Sequence, residues 1–274
     1  MDDYLSANRK HWDRWTDEHE KSPFYDLDGF KAGKDRLRSI ELSELGDVSG
    51  KSLLHLQCHF GMDTLAWARR GAVVTGADLS EKSIALAKSL SEELNIPAKF
   101  VCSDIYQLPE NLSGEFDIVF TSYGVLHWLR DLPQWAKIVA HFLKSNGIFY
   151  IVEDHPTFRM FTTEDETKVK LANPYFHTKE PDQVEMTGSY ATDNQGNTAS
   201  FYIWNHGMGE ILTSLIDAGL TIEFLHEFPF AARAKFPFME KGEDGWWRLP
   251  EEHVQIPFLF SLQARKQKYG TGQG

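Results

Sequence analysis

The sequence has 274 residues, of which 42% are hydrophobic and 25% charged. This composition excludes a disordered chain and a small disulfide scaffold, and it is long enough to bury a sizeable core. The 28 Lys and Arg residues face 40 Asp and Glu residues, a formal net charge of −12, which disfavours nucleic acid and anionic membrane surfaces as partners. Cys58 and Cys102 have neither metal-site nor disulfide spacing, so we expect buried, reduced thiols in a cytoplasmic protein. The acidic start and the lack of an apolar run of about 18 residues predict neither a signal peptide nor a membrane span.

Residues 1–49 predict an N-terminal helical extension. Its first helix is marked by a stripe at helical spacing, and a second helical stretch is expected over 34–45. The stripe consists of Leu5, Asn8, Trp12, Trp15 and His19. Packing on the body of the protein is one interpretation, and a lid over a bound ligand, with Tyr4, Trp12 and Trp15 facing it, is the other.

Residues 50–265 predict one α/β domain in which short β-branched runs alternate with helical stretches, as in a parallel sheet covered by helices. The expected strands are 52–57, 72–78, 98–102, 116–122 and 147–153. Ser80 is expected to cap a helix with the stripe Ile84, Ala87, Leu90 and Leu94. A further helix is expected to begin near Pro133, to bury Trp135, Ile138, Val139 and Phe142, and to stop at Gly147.

The alternation breaks after residue 154, where an insertion over about 155–206 is too long for a plain loop. It reads as β-rich, with a hairpin of 185–191 and 199–204 around the turn 193–197. A helix from Met208 to Leu215, ended by Gly219, and strands over 220–228 and 254–264 follow. We expect the tail 266–274 to be frayed. The prediction is therefore a Rossmann-like, doubly wound, mostly parallel seven-stranded sheet.

Polar residues follow the first three strands, where an open parallel sheet binds its ligands. The turn 57–61 opens a helix and can bring its backbone close to a ligand. Asp78, at the end of the second strand, can accept both hydroxyls of a ribose. Asp104, with the apolar Ile105 beside it, suits an adenine amine and ring face. Together these positions predict an adenosine site.

In this order of motifs, residues 50–155 resemble the class I S-adenosylmethionine-dependent methyltransferases. The resemblance implies that 57–61 holds the methionine part of the cofactor, that Asp78 binds the ribose, that Asp104 and Ile105 bind adenine, and that 121–128 lines the reacting centre. The implied cofactor-binding residues are Gln57, Cys58, Phe60, Gly61, Asp63, Asp78, Leu79, Asp104, Ile105 and Tyr123. The implied activity is methyl transfer to a small-molecule acceptor.

The first loop departs from the family pattern, because His55 replaces an acid and only Gly61 remains of the glycines. The stretch LLHLQCHFG over 53–61 resembles a variant found in a bacterial subgroup of these enzymes, which names no substrate. Asp63 or backbone carbonyls near Gln57 are then the candidates for the cofactor ammonium. His55 and His59 are expected to pack rather than to react.

Methyl transfer from a sulfonium needs little acid or base chemistry, because the leaving group is already activated. His127, just after the fourth strand, is the candidate base, with a purely packing role as the alternative. Glu153, Asp154 and His155 end the fifth strand and either meet substrate or form a solvated turn. No second cluster supports a metal site. Candidates for the substrate cavity are Trp12, Trp15, Glu153, His155, Tyr190, Trp204 and His206.

Two alternatives from other classes remain open. A nicotinamide-dependent oxidoreductase uses the same sheet and an acid such as Asp78, but requires glycines at the positions of Gln57 and His59. A non-catalytic protein that binds S-adenosylmethionine would tolerate the altered loop. Nucleic-acid methylation fits poorly with the net charge of −12 and with the lack of a basic and aromatic stretch. The acceptor, its nucleophilic atom and the oligomeric state stay open.

Overall fold

The computed structural model describes residues 3–162, 169–192 and 198–267. The predicted turn 193–197 and most of the predicted frayed tail lie outside the described residues. The helices are α1 (Asp3–His19), α2 (Leu27–Lys31), α3 (Ser39–Leu45), α4 (Met62–Arg69), α5 (Glu81–Glu93), α6 (Leu108–Asn111), α7 (Leu132–Phe142), α8 (Pro156–Met160) and α9 (Met208–Asp217). Within these ranges no helix is both long and apolar enough to cross a lipid bilayer.

The strands alternate with the helices in the first half of the chain and dominate the second half. They are β1 (Ser52–Leu56), β2 (Val73–Asp78), β3 (Lys99–Cys102), β4 (Phe116–Ser122), β5 (Leu143–Asp154), β6 (Phe161–Thr162), β7 (Lys170–Leu171), β8 (Asp182–Thr187), β9 (Thr198–Ile203), β10 (Leu220–Phe228), β11 (Phe230–Ala231), β12 (Glu240–Lys241), β13 (Trp247–Arg248) and β14 (Leu259–Lys266).

Seven of these strands form the central sheet, in the order β3-β2-β1-β4-β5-β14-β10. Neighbouring strands among β1 to β5 pair in parallel, whereas β14 runs antiparallel to both β5 and β10. Helices cover both faces, so a central strand such as β4 is apolar on both sides, and Ile118, Val119 and Phe120 are buried. The predicted mostly parallel seven-stranded sheet is confirmed.

The helix boundaries follow local capping. The Ser80 hydroxyl caps α5 by accepting the Ser83 N–H at 3.0 Å, as predicted. Gly219, which follows the C-cap Ala218 of α9, has left-handed backbone with φ of +85°. The helix predicted over 34–45 begins only at Ser39, because the Arg38 N–H donates to the Glu41 carboxylate at 2.7 Å and fixes the start there.

Three sequence predictions need correction. α7 ends at Phe142 rather than Gly147, because β5 already pairs with β4 from Leu143 and then carries a bulge. Gly147 lies in that bulge, where a Cβ would come within 2.9 Å of the Lys144 carbonyl. The last strand begins at 259 instead of 254, since Pro257 has no N–H for a strand ladder. Cys102 is exposed rather than buried.

The insertion forms the predicted hairpin, although its first strand, β8, ends at Thr187 instead of 191. Helix α1 lies against β9. The Asn8 side chain accepts from the Tyr202 N–H and donates to its carbonyl, both at 2.8 Å, and so pairs with the strand as another strand would. The Trp15 indole donates to the Gly188 carbonyl at 2.9 Å. These bonds join the N-terminal helix and the hairpin into one wall.

Candidate active site

A cavity of about 460 Å³ lies at the carboxyl ends of the parallel strands, where the strand order reverses between β1 and β4. Its floor is the edge of the sheet, and its walls come from the N-terminal segment, the insertion and residues 232–235. All ten residues expected to contact the cofactor line it: Gln57, Cys58, Phe60, Gly61, Asp63, Asp78, Leu79, Asp104, Ile105 and Tyr123.

The loop after β1 has left-handed backbone at three positions, of which only one is a glycine. Gln57 and His59 have φ of +56° and +52°, and Gly61 has φ of +77°, in the left-handed region that glycine favours. At Gly61 a Cβ would lie 2.7 Å from the Phe100 ring, so this glycine is required by packing as well. The Gln57 amide donates to the Val125 carbonyl at 3.2 Å, and its buried Oε1 has no partner among the described residues.

Asp78 is fixed by two backbone donors. Its Oδ2 accepts the His59 N–H at 2.7 Å and its Oδ1 accepts the Ser80 N–H at 2.9 Å. Burial raises the pKa of this carboxyl to about 6, against the two hydrogen bonds that favour the ionised form. Each oxygen keeps a further acceptor position that can serve a ligand in the cavity.

Asp104 stands at the next strand end. Its Oδ1 accepts the Tyr106 N–H at 3.2 Å and caps the short turn that follows β3. Burial raises the pKa of Asp104 above its ordinary value. Leu79 and Ile105 also line the cavity, so the same cavity offers a carboxylate acceptor and apolar surface.

An opposite-charge pair lies at the end of β1. The Arg36 Nε is 3.3 Å from Asp63 Oδ1, and the Ser122 hydroxyl donates to Asp63 Oδ2 at 3.3 Å. The Arg36 guanidinium also lies 5.2 Å from the centre of the Tyr25 ring. The sequence reasoning missed Arg36, which lies in the irregular segment before α3.

Glu153 holds the loop that follows β4 rather than facing the cavity. Its carboxylate accepts the N–H groups of Gly124, of Val125 at 2.7 Å and of Leu126 at 3.2 Å. Burial and the adjacent Asp154 raise the pKa of Glu153. Glu153 is not among the residues that line the cavity, and backbone N–H groups already occupy both oxygens of its carboxylate.

His127 lies in that loop and lines the cavity. Burial lowers the pKa of His127 well below its ordinary value, and the cations Arg159, Arg233 and Lys235 lower it further. The imidazole is accordingly neutral at pH 7, and one of its two ring nitrogens is unprotonated.

The remaining substrate candidates divide into two groups. Trp12, Trp15 and Tyr190 line the cavity. The lining does not include His155, Trp204, His206 or the lid candidate Tyr4. The His155 Nδ1 accepts the Thr157 N–H at 3.1 Å and caps α8, His206 contacts the Leu129 carbonyl at 2.7 Å, and Trp204 is buried beside it in the chain. The structure therefore buries His155, Trp204 and His206 outside the lining of the cavity.

Two histidines of the first strand and loop also face the cavity, and both are packed as expected. His55 Nδ1 lies 2.8 Å from the Thr64 hydroxyl, and His59 Nε2 lies 3.0 Å from His19 Nδ1. Burial lowers the pKa of His55 to about 4 and that of His59 well below its ordinary value, which keeps both rings neutral.

Among the described residues, one group of potential metal ligands lies away from the cavity. Ligand atoms of His177, His206 and Glu210 lie within 4.8 Å of one another. The two ring nitrogens of His206 already lie within 2.7 Å of the Leu129 carbonyl and 3.1 Å of the Glu210 carboxylate. This imidazole therefore serves to tie α9 to the loop after β4.

Comparison with known proteins agrees with this geometry. Residues 54–151 match the family model described as a methyltransferase domain. Over 127 residues the chain is 30% identical to the ubiquinone biosynthesis O-methyltransferase of Pseudomonas paraeruginosa, covering 46% of this chain and 50% of that protein. The chain thus spans about half the length of the curated relatives it matches.

Solved structures extend the likeness to most of the chain. A candidate S-adenosylmethionine-dependent methyltransferase from Listeria monocytogenes has a TM-score of 0.60 at 19% identity, covering 83% of this chain and 96% of that one. An S-adenosylmethionine-dependent methyltransferase from Mesorhizobium loti has a TM-score of 0.56 at 22% identity, covering 81% and 94%. Residues 54–151 are therefore similar to a methyltransferase domain, and the chain has the fold of the S-adenosylmethionine-dependent methyltransferases.

Proposed function

We propose that this protein transfers a methyl group from S-adenosylmethionine to a small-molecule acceptor held in the same cavity. One observation carries the proposal. The carboxylates of Asp78 and Asp104 follow two adjacent strands and face one cavity, which the loop after β1 also lines. The methyltransferase-domain match over 54–151 supports methyl transfer over the oxidoreductase alternative.

The end of the cavity at β2 and β3 fits an adenosine. Because each Asp78 oxygen holds only one backbone N–H, the carboxylate can accept two vicinal ribose hydroxyls. Asp104 can accept an exocyclic amine, and Leu79 and Ile105 offer apolar contact to the ring. This division of roles follows the order of the strands.

The end of β1 fits the amino-acid part of the cofactor. Asp63 and Arg36 present opposite charges side by side, which matches a group that carries both an ammonium and a carboxylate. The unpartnered Gln57 Oε1 adds an acceptor nearby. We propose that the altered loop 57–61 replaces the family's glycine-rich loop, since Gln57, His59 and Gly61 all keep left-handed backbone.

S-adenosylmethionine, when bound, supplies a methyl group on a sulfonium, whose departure needs no proton. The chain must then hold the acceptor in line and exclude water. Trp12 and Trp15 from α1 and Tyr190 from the insertion form an aromatic wall suited to this, which gives the N-terminal segment the role of a lid. The neutral imidazole of His127 can accept the proton of a hydroxyl acceptor, an acceptor type in keeping with the relatives named O-methyltransferases.

Isothermal titration with S-adenosylhomocysteine, the product form of the cofactor, tests the proposal. Asp78→Asn should weaken binding at least tenfold, because an amide offers one acceptor where the carboxylate offers two. Asp217→Asn removes the same charge at an exposed position at the end of α9 and should leave the affinity unchanged. Failure of the wild-type protein to bind at millimolar concentration would overturn the proposal, as would equal effects of the two substitutions.

A further inference from the structure

Three cations line one end of the cavity: Arg159 of α8, and Arg233 and Lys235 of the segment before β12. Among the described residues only Arg233 has a carboxylate partner, with Nη2 2.9 Å from Asp154 Oδ2. Among the described residues, no carboxylate oxygen lies within 4.0 Å of a side-chain nitrogen of Arg159 or Lys235. The cluster thus carries an excess of two positive charges in a chain whose net charge is −12.

The cluster is partly desolvated and held together by aromatic surface. The Arg233 guanidinium and the Lys235 ammonium lie 4.6 and 5.0 Å from the centre of the Phe158 ring. The buried Arg159 Nε has no hydrogen-bond acceptor among the described residues. Burial and the neighbouring cations lower the pKa of Lys235 to about 8 and that of Arg159 to about 10. Like charges in this setting repel one another, and an added anion relieves both the repulsion and the unmet donor.

The position of the cluster separates it from the adenosine end. Asp154 ends β5, which is three strands away from β2 in the sheet, or about 14 Å at the usual strand spacing of about 4.8 Å. The cluster instead adjoins His127, the candidate base, through Asp154, which pairs with Arg233. A Cβ placed on Gly124 would lie 3.8 Å from His127 Cε1 and 3.9 Å from Asp154 Oδ2.

We propose that Arg159, Arg233 and Lys235 bind an anionic group, a carboxylate or a phosphate, of the methyl acceptor. This inference rests on the proposed methyl transfer and adds the class of the acceptor. Guanidinium and ammonium groups bind such oxygens through charge-assisted hydrogen bonds. The anionic group anchors rather than reacts, because an oxygen paired with several cations is a poor nucleophile. The nucleophilic atom then lies elsewhere on the acceptor, toward His127.

The test titrates small anions into the protein saturated with S-adenosylhomocysteine, so that Arg36 is already engaged. The probes are benzoate and phenyl phosphate, with neutral benzamide of similar size as the reference. At least one anion should bind at least tenfold more tightly than benzamide. Tighter binding of benzoate indicates a carboxylate site, and tighter binding of phenyl phosphate indicates a phosphate site. Arg159→Gln and Lys235→Met should each weaken that anion about tenfold, the effect of losing one charged hydrogen bond, and Arg159→Lys should retain part of the affinity.

Lys137→Met is the matched control, since Lys137 is exposed on α7 and carries the same charge. It should leave anion affinity unchanged, and S-adenosylhomocysteine affinity should persist in every variant, which also reports correct folding. Equal binding of benzamide and both anions, or an equal loss in Lys137→Met, would overturn the inference. A wild-type protein that fails to bind S-adenosylhomocysteine would instead overturn the proposed function, and the same anions titrated into the free protein would still test the cluster.

Discussion

Asp78 shows how a single carboxyl group is prepared for a ligand. Two backbone N–H groups fix its orientation before any ligand arrives, while burial holds its pKa at about 6. Preorganisation of this kind lowers the entropy lost on binding. The raised pKa makes the site sensitive to mild acid, because a protonated carboxyl group loses acceptor capacity for hydroxyl groups.

We therefore expect the affinity for S-adenosylhomocysteine to fall as the pH drops below about 6, by at most about tenfold for each pH unit. The sign follows from the raised pKa: the ionised form binds, and it is depleted on the acidic side of that value. Calorimetric titrations between pH 5 and 7.5 measure the effect. The Asp78→Asn protein should show a flatter profile, and an identical pH dependence in both proteins would contradict the assignment.

The polar residues at the strand ends show which side-chain positions the sequence could predict and which it could not. Asp78, Asp104 and the loop after β1 were predictable because parallel strands deliver their carboxyl ends to one edge. Glu153 also stands at a strand end, yet its side chain turns back to the loop backbone. Whether such a carboxylate faces ligand or loop depends on local backbone direction, which residue types alone do not specify.

At the scale of elements, Glu153 joins β5 to the loop after β4. Glu153→Gln replaces a carboxylate, whose two oxygens both accept, by an amide whose NH₂ group can only donate. Backbone N–H groups that face the NH₂ group lose their acceptor, and each unsatisfied buried donor costs about 1 to 3 kcal/mol. We expect the free energy of unfolding to fall by about 2 kcal/mol, measured by urea denaturation. Glu252→Gln, at an exposed position, is the control. Equal stability of the two variants would show that the Glu153 bonds contribute little.

The element boundaries that were mispredicted share a cause in pairing between distant segments. The start of β5 depends on its partner β4, because Leu143 pairs with Phe116 before the bulge at 144–147. The start of β14 depends on its pairing with β5 and β10. By contrast, α5 was predictable because its cap and apolar stripe are local, with Ser80 and Ile84 only four positions apart.

At the scale of the whole molecule, the cavity is assembled from segments far apart in the chain. The end that we propose for adenosine is formed at strand ends that the sequence predicts. The opposite end takes Arg159 from α8 and Arg233 and Lys235 from a loop without regular pattern. No periodic signal marks those cations, so only tertiary packing brings them together. The net charge of −12 is thus compatible with a locally positive pocket for a small anion.

The most direct measurement is a crystal structure of the protein with bound S-adenosylhomocysteine. We predict that both ribose hydroxyls lie within hydrogen-bond distance of the Asp78 carboxylate, that the adenine amine lies at Asp104, and that the amino-acid end lies between Asp63 and Arg36. A nucleoside bound outside this cavity, or one lying with its adenine at the Arg159 end, would contradict it.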